Sequence, residues 1–368
     1  MAKKTKVLHI IDSDFSGRFF EVLIPDQSIR YRSVGLLSLA GERGFPIPSA
    51  MKNVKYLETK NRQLSRLLRL IFVIFEVLKF MPNVIITHLP KAGLLGNLLA
   101  LVSGRNNIYF RHYLDEHHRQ NKRTLRILDK IVNNTAKLIV TMSNQTKQWL
   151  INEEGVNPKK IKVIHQALDY EGIKINVVNV EQIKRKYVGT NGTKILILCV
   201  SRFIEAKGQK TLVDALIKMR LSGLDPVGLF IGAGDSIWLQ RYIIEKNCQE
   251  FCFIEGFKAN SLDYIAATDI VAHPSEVDSF SQLVMESKAL GRAIVASDSG
   301  SVRDQIQDGI DGYIVQKRNS EELADRLCVL ANDKSLRDKM AKAAFSNVRR
   351  KFPLVRMLNE IDDVVVRG

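Results

Sequence analysis

The sequence predicts an α/β protein made of two parallel-sheet domains, and three observations carry that prediction. Short apolar runs recur along the whole chain, separated by stretches long enough for helices. The runs do not alternate polar with apolar residues, which is the pattern of strands buried on both faces. They fall into two series, and 368 residues suit two cores of about 170 to 190 residues better than one.

Taken in order, the first series is KVLHII (6–11), VKYLET (54–59), NVIITHL (83–89), NIYFRHY (107–113), KLIVTMS (137–143) and IKVIHQ (161–166). The second is KILILCVS (194–201), VGLFIGAG (227–234), CFIEGF (252–257), DIVAHPS (269–275), AIVAS (293–297) and GYIV (312–315). Strand–helix alternation of this kind implies Rossmann-like domains with helices on both faces of each sheet. The polar stretch 171–193, which carries Gly189 and Gly192 near its end, is taken as a linker. That sets the first domain at 1–170, the second at 194–350, and a terminal helix at 351–368. Open sheets of this type bind ligands beyond the carboxyl ends of their strands, and the chemically suggestive residues follow strands.

Composition narrows the setting. Four cysteines, Cys199, Cys248, Cys252 and Cys328, are too few and too scattered for a disulfide framework, which favours a reducing, cytoplasmic environment. VLHII is interrupted by Asp12 and Asp14 before it reaches the length of a secretory signal. The longest apolar run, Leu67–Met81, carries Arg69, Glu76 and Lys79 and is too short to span a bilayer, which needs roughly 20 apolar residues. Leu64–Lys79 reads either as a covered core helix or as a helix lying on a membrane surface. The net charge of +16 is one-sided: residues 1–170 hold 27 Lys and Arg against 13 Asp and Glu, and the remainder 28 against 26. A basic first half points to an anionic partner: acidic headgroups, a lipid pyrophosphate or nucleic acid; solvated helix faces are the plainer reading.

Two segments carry the chemistry. After the strand ending at Val200 comes SRFIEAKGQKTLVDAL, with Arg202 just past the strand and Lys207 before Gly208 and a helix over about 209–218. Two cations beside a helix N-terminus suit a pyrophosphate: Arg as a fork, Lys as a point charge, the amides assisting. Further on, Ala272–Gly291 reads AHPSEVDSFSQLVMESKALG, placing seven residues between Asp278 and Glu286. Glu286 falls on a helix over about 281–290, stopped by Gly291. A carboxylate can accept two hydroxyl hydrogen bonds at once, which suits sugar recognition. Asp278 or Ser279 could instead cap that helix, since Ser279 and Gln282 fit a capping box.

These motifs, followed by AIVASDSG and DGIDGYIV, resemble the donor-binding core of family 4 (group 1) retaining glycosyltransferases. The resemblance implies a GT-B architecture, in which two Rossmann-like domains face an interdomain cleft and the terminal helix crosses back to the first domain. It implies transfer of a glycosyl unit from a nucleotide diphosphate sugar to an acceptor hydroxyl with retention of configuration, with no metal or other cofactor. Arg202 and Lys207 would hold the diphosphate, Asp278 the donor sugar and Glu286 the ribose. Ser279-Phe280-Ser281 stands where the family usually has Gly-Phe-Gly, and Asp278 where it has Glu. Serines keep the N–H donors but restrict the backbone. Gly234, in IGAGD, would pass close to the donor, and Gly256 and Phe257 occupy the place of contacts to the base. In the first domain, DSDFSGR offers only Gly17 where relatives have a glycine-rich loop. His112 stands where relatives carry an active-site histidine; it contacts donor or acceptor, or is a strand-end histidine bonded to backbone. His88, His117 and His118 read as structural or solvated. Asp12-Ser13-Asp14 is formally a D-x-D metal motif, but it follows the first strand and is read as chance.

The resulting expectation is a cytoplasmic enzyme, peripheral on the inner face of the membrane. It would use a UDP-sugar, the commonest donor type of the family, on a lipid-linked or other saccharide acceptor in bacterial surface polysaccharide synthesis, with no nucleic-acid partner. Two rivals are a nucleotide-sugar epimerase on the same architecture, disfavoured by the Asp278–Glu286 spacing, and a non-catalytic basic scaffold that binds membrane or polyanions through a degenerate donor pocket.

Overall fold

Every strand pairing between named strands is parallel, and the strands divide between two sheets. The computed structural model describes residues 4–13, 18–40, 46–57, 66–114, 123–189 and 193–367. The chain separates into two units, Met1–Leu168 with Leu354–Gly368, and Asp169–Pro353.

The first unit holds β1 (Lys6–Ile11), β2 (Ser33–Ser38), β3 (Val54–Tyr56), β4 (Val84–His88), β5 (Asn106–Arg111), β6 (Leu138–Thr141) and β7 (Ile161–Val163), ordered β3-β2-β1-β4-β5-β6-β7. Strand order reverses between β1 and β4, which is the topological switch point where such sheets bind ligands. The β2 strand has no counterpart among the runs read from sequence. Its SVGLLS is short and broken by Gly35, where an added Cβ would come within 3.0 Å of Leu8 and 3.1 Å of Phe80. The glycine that hides the strand is what lets it pack.

Helices of this unit are α1 (Arg18–Arg30), α2 (Arg66–Phe80), α3 (Pro90–Ser103), α4 (Arg123–Thr135) and α5 (Asn144–Asn152). The unit is completed by a terminal helix (Leu354–Arg367), whose Asp362 accepts from the Tyr31 hydroxyl at 2.6 Å and lies 3.7 Å from Arg30. α2 is neither covered all round nor polar on its outer side: Val73, Val77 and Phe80 are buried, while Ile71, Phe75 and Leu78 are exposed.

The second unit holds β8 (Ile195–Val200), β9 (Pro226–Ile231), β10 (Cys252–Gly256), β11 (Ile270–His273), β12 (Ala293–Ser297) and β13 (Tyr313–Val315). Their order is β10-β9-β8-β11-β12-β13, so its switch point lies between β8 and β11. Two apolar clusters cover the faces: Leu212, Leu216, Phe230 and Leu327 on one, Leu198, Leu229, Val271 and Ile294 on the other.

The segment taken as a linker, 171–193, is largely a helix, α6 (Val177–Val188), and belongs to the second unit. Asn176 caps it through Val178 and Asn179 N–H, and Ile183 and Tyr187 are buried one turn apart. Lys186 and the Tyr187 hydroxyl both bond Glu255 at the end of β10. The remaining helices are α7 (Gln209–Leu221), α8 (Ile237–Glu245), α9 (Ser261–Ala267), α10 (Gln282–Ala289), α11 (Val302–Gln305), α12 (Ser320–Asn332) and α13 (Lys334–Lys351), with the terminal helix as α14.

Candidate active site

Because the second sheet is parallel, the segments after β10, β9, β8 and β11 share one edge, in that order. The sequence-singled residues Phe257, Gly234, Arg202 and Asp278 therefore fall one after another along it.

The centre of the edge is a pair of interlocked loops. Beyond β8 the chain turns through Ser201 and Arg202, makes a single 3-10 turn at Glu205–Lys207, and enters α7 at Gly208. Gly208 is left-handed (φ 69°), and a Cβ there would lie 2.0 Å from the Pro274 carbonyl oxygen. Only glycine lets the β8 and β11 loops approach this closely. Glu276 N–H donates to the Ala206 carbonyl at 2.9 Å, and Gln209 ties the turn shut with bonds to Ser201 Oγ and the Arg202 carbonyl, both 2.9 Å. α7 begins without a side-chain cap, so first-turn amides are left for other partners.

Within this lock, Lys207 Nζ donates to Asp278 Oδ2 at 3.0 Å and to the Val277 carbonyl at 3.2 Å. The sequence assigned the two residues to different parts of one ligand; the structure makes them an ion pair. His273, buried at the end of β11, brings Nε2 to 3.3 Å from the same carboxylate oxygen. Burial pushes the Asp278 carboxyl upward, but Lys207 and His273 outweigh it and hold it well below the ordinary carboxylate range. Asp278 is anchored from behind by its N–H to the Ser299 carbonyl at 3.1 Å. Arg202, by contrast, is exposed.

The helix after Asp278 starts later than the capping box suggests. Ser281, not Ser279, is the N-cap of α10, accepting from Val284 N–H. Gln305 clamps it on both sides, accepting from Ser281 N–H at 3.1 Å and donating to its carbonyl at 2.7 Å. The Ser281 hydroxyl is thus engaged in the fold. Phe280 turns inward and packs edge-on against Phe352, so its place in the expected ligand-facing triplet is structural. Ser279 is half-buried, and Glu286 is buried in the second turn of α10.

At the β9 end, a Cβ on Gly232 would strike the Ser201 carbonyl oxygen at 1.8 Å, and Gly234 has φ 108°. At the β10 end, Gly256 is left-handed (φ 67°) and Phe257 is 73% exposed. Its place at the carboxyl edge of the sheet leaves the ring face accessible for stacking.

In the first unit, Gly17 lies outside the described residues, as do Asp14, His117 and His118. Asp12 is a cap: its carboxylate accepts the Lys91 and Ala92 N–H groups at the start of α3. His112 lies one residue beyond β5, half-buried, with Nε2 2.8 Å from His88 Nδ1. His88 is fully buried and is 3.0 Å from His9, so it is a link in a chain. Burial lowers the His112 pKa to about 4. Among the described residues, no group of three or more His, Cys, Asp or Glu side chains is placed to hold a metal ion.

Comparison with known proteins agrees with this geometry. The group 1 glycosyl transferase model matches residues 180–347 and the glycosyltransferase family 4 model residues 38–171. The UDP-Gal:alpha-D-GlcNAc-diphosphoundecaprenol alpha-1,3-galactosyltransferase of Escherichia coli is 19% identical, over 88% of this chain and 84% of its own length. The capsular polysaccharide biosynthesis glycosyltransferase CapM of Staphylococcus aureus is 22% identical, over 82% and 80%. Among solved structures, Anabaena HepE in complex with UDP-glucose superposes with a TM-score of 0.82 at 20% identity, over 99% of this chain and 100% of that one. The fold is therefore GT-B. With both units matched by their own family models and the two interlocked loops placed at the switch point of the second, the chain belongs to the family 4 (group 1) glycosyltransferases.

Proposed function

We propose that the enzyme transfers a hexosyl unit, with retention of configuration, from a UDP-sugar to a lipid-linked saccharide acceptor in the assembly of a surface polysaccharide. The observation that carries the donor half is the order along the second sheet edge: an exposed aromatic at Phe257, cations at Arg202 and Lys207, a carboxylate at Asp278. That succession suits a base, a diphosphate and a sugar. As the bond to the sugar breaks, negative charge grows on the diphosphate, and Arg202, Lys207 and the uncapped amides of α7 stabilise it. In this reading the chain needs no metal for that task. Glu286 takes the ribose hydroxyls, Asp278 the sugar hydroxyls, and His112 contacts the donor sugar or positions the acceptor. The Escherichia coli relative, named for a UDP-sugar and a diphosphoundecaprenol-linked acceptor, supports the donor and acceptor classes, and the Staphylococcus aureus one supports the polysaccharide setting; family membership disfavours the scaffold reading.

The test is a thermal-shift screen with UDP, GDP, ADP and their common sugars. A selective rise with UDP compounds is expected, of about 2–3 kcal/mol equivalent at a hundredfold excess over Kd, and lost in Arg202→Ala and Glu286→Ala. A rise that survives both changes would place the donor elsewhere.

The acceptor half rests on the outer face of the first unit. Along α2, α3 and α4, Phe75, Leu78, Leu94, Leu101, Val102 and Ile127 are exposed, Leu101 by 82%. Two apolar grooves, of about 540 and 350 Å³, share Leu98 and Arg105. Arg105 and Lys137 line them, and Lys79 on α2 and Lys130 on α4 are exposed as well. Apolar side chains ringed by Lys and Arg suit an anionic bilayer surface. No helix among the described residues is long and apolar enough to cross a membrane. In vesicle flotation the protein should follow phosphatidylglycerol-containing vesicles over pure phosphatidylcholine, and Leu101→Asp with Val102→Asp should weaken that about tenfold or more. Equal flotation with both vesicle types would remove the membrane from the proposal.

A further inference from the structure

Three histidines stand in line across the switch point of the first sheet. His9 lies in β1, His88 at the end of β4 and His112 just past β5, neighbouring strands in register, with Ile11 opposite His88 and His88 opposite Phe110. His9 Nε2 is 2.6 Å from Gln27 Oε1 of α1, His9 Nδ1 is 3.0 Å from His88 Nε2, and His88 Nδ1 is 2.8 Å from His112 Nε2. Phe19, Phe20 and Phe110 close around the middle ring. His9, His88 and Gln27 are buried.

We propose that Gln27, His9 and His88 are positioning residues that fix which nitrogen of His112 carries its proton. The proposal rests on the reading above that His112 contacts a substrate. The logic is directional. A neutral imidazole has one donor nitrogen and one acceptor. With the carboxamide oxygen of Gln27 turned toward His9, and its Nε2 left buried without a partner among the described residues, His9 carries its proton on Nε2 and accepts with Nδ1. His88 must then donate from Nε2 and accept with Nδ1. His112 must donate from Nε2, so Nδ1 is its acceptor nitrogen. One carboxamide at the far end of a buried chain thus sets the polarity at the near end.

Two features of the site suit such a role. A buried polar chain costs desolvation, and a plain core would serve the fold as well with apolar residues. Leu89, directly after His88, holds φ 73°, ψ 163°, a region nearly reserved for glycine. Strain of that kind persists where the surroundings over-determine a geometry.

The test is the nitrogen-15 spectrum of the histidine rings at neutral pH, which reports each tautomer without reference to activity, in the parent protein, His88→Phe and Gln27→Met. Gln27→Met leaves all three rings in place and guards against a variant that fails to fold. The parent His112 should be the Nε2–H form, and both variants should show it shifting toward a mixture. In transfer assays, His88→Phe should lower kcat/KM about tenfold, the worth of one well-placed hydrogen bond. It should add no further loss in a His112→Phe background. A parent His112 protonated on Nδ1, a tautomer unchanged in both variants, or a His88→Phe loss that persists undiminished without His112 would each overturn the proposal. Full activity in His112→Phe would instead refute the substrate contact, leaving the spectra to judge the chain.

Discussion

Lys207→Ala is expected to lower kcat/KM by about 10²- to 10³-fold, the cost of deleting one group aimed at a developing charge. The same change also strips Asp278 of its principal counter-charge. Lys207 Nζ donates both to Asp278 Oδ2 and to the Val277 carbonyl, so the variant leaves a mostly buried carboxylate facing only His273. That should cost about 1–3 kcal/mol in stability, below the 3–5 kcal/mol of a fully buried pair. The two effects separate in a double variant. Asp278→Asn added to Lys207→Ala removes the stranded charge, so Tm should recover most of its loss while kcat/KM stays low or falls further. Melting curves and initial rates on the four proteins of the cycle measure both. Recovery of turnover together with Tm would show that Lys207 serves the loop lock and not the leaving group.

The central strands were legible because they are buried on both faces and so read as uninterrupted apolar runs; β1 and β12 match the runs KVLHII and AIVAS residue for residue. The exception, β2, is broken by the very glycine that packing demands. α6 was hidden by its polar outer face, although Asn176 as a cap and the Ile183–Tyr187 spacing were signals of a helix. In the second unit, the residue types and strand ends of the site were readable, but their pairings were not. Lys207 and Asp278 are 71 residues apart, and only the adjacency of β8 and β11 across the switch brings them together. The start of α10 was ambiguous because Ser279 and Ser281 both offer a capping hydroxyl; the clamp from Gln305, on a later helix, decides it. His9 and His88 look in sequence like isolated strand residues. His9 pairs with Ile86 and His88 with Phe110, so the rings meet on the diagonal, each two residues further along the next parallel strand.

That stacking gives the first unit a distinctive response to acid. Burial, offset in part by Gln27, holds the His9 pKa at about 4, and burial holds His112 at about 4 as well; an unfolded chain titrates near 6.5. As pH falls, the unfolded chain therefore takes up protons first. The stability these rings contribute is whole above about 6.5, declines between about 6.5 and 4, and is gone below. Each ring accounts for about 3 kcal/mol over that window. Asp278 acts in a different range: its carboxyl is depressed, so its contribution persists down to the unfolded value near 3.9 and is lost only as pH falls further. The chain carries two tryptophans, Trp149 in α5 of the first unit and Trp238 in α8 of the second, so single-tryptophan variants follow each unit by fluorescence. Denaturant titrations from neutral pH down to about 4 should show the Trp149 transition shifting to lower denaturant, and His9→Phe with His112→Phe should weaken that dependence, leaving the share of His88, whose burial also holds it well below the usual imidazole range. A first unit whose pH dependence is the same with and without the two histidines would mean that the rings are not held neutral by the fold. The expected acid lability follows from the same burial that keeps the three rings uncharged, and a chain of hydrogen bonds can hold one tautomer only while its members stay neutral.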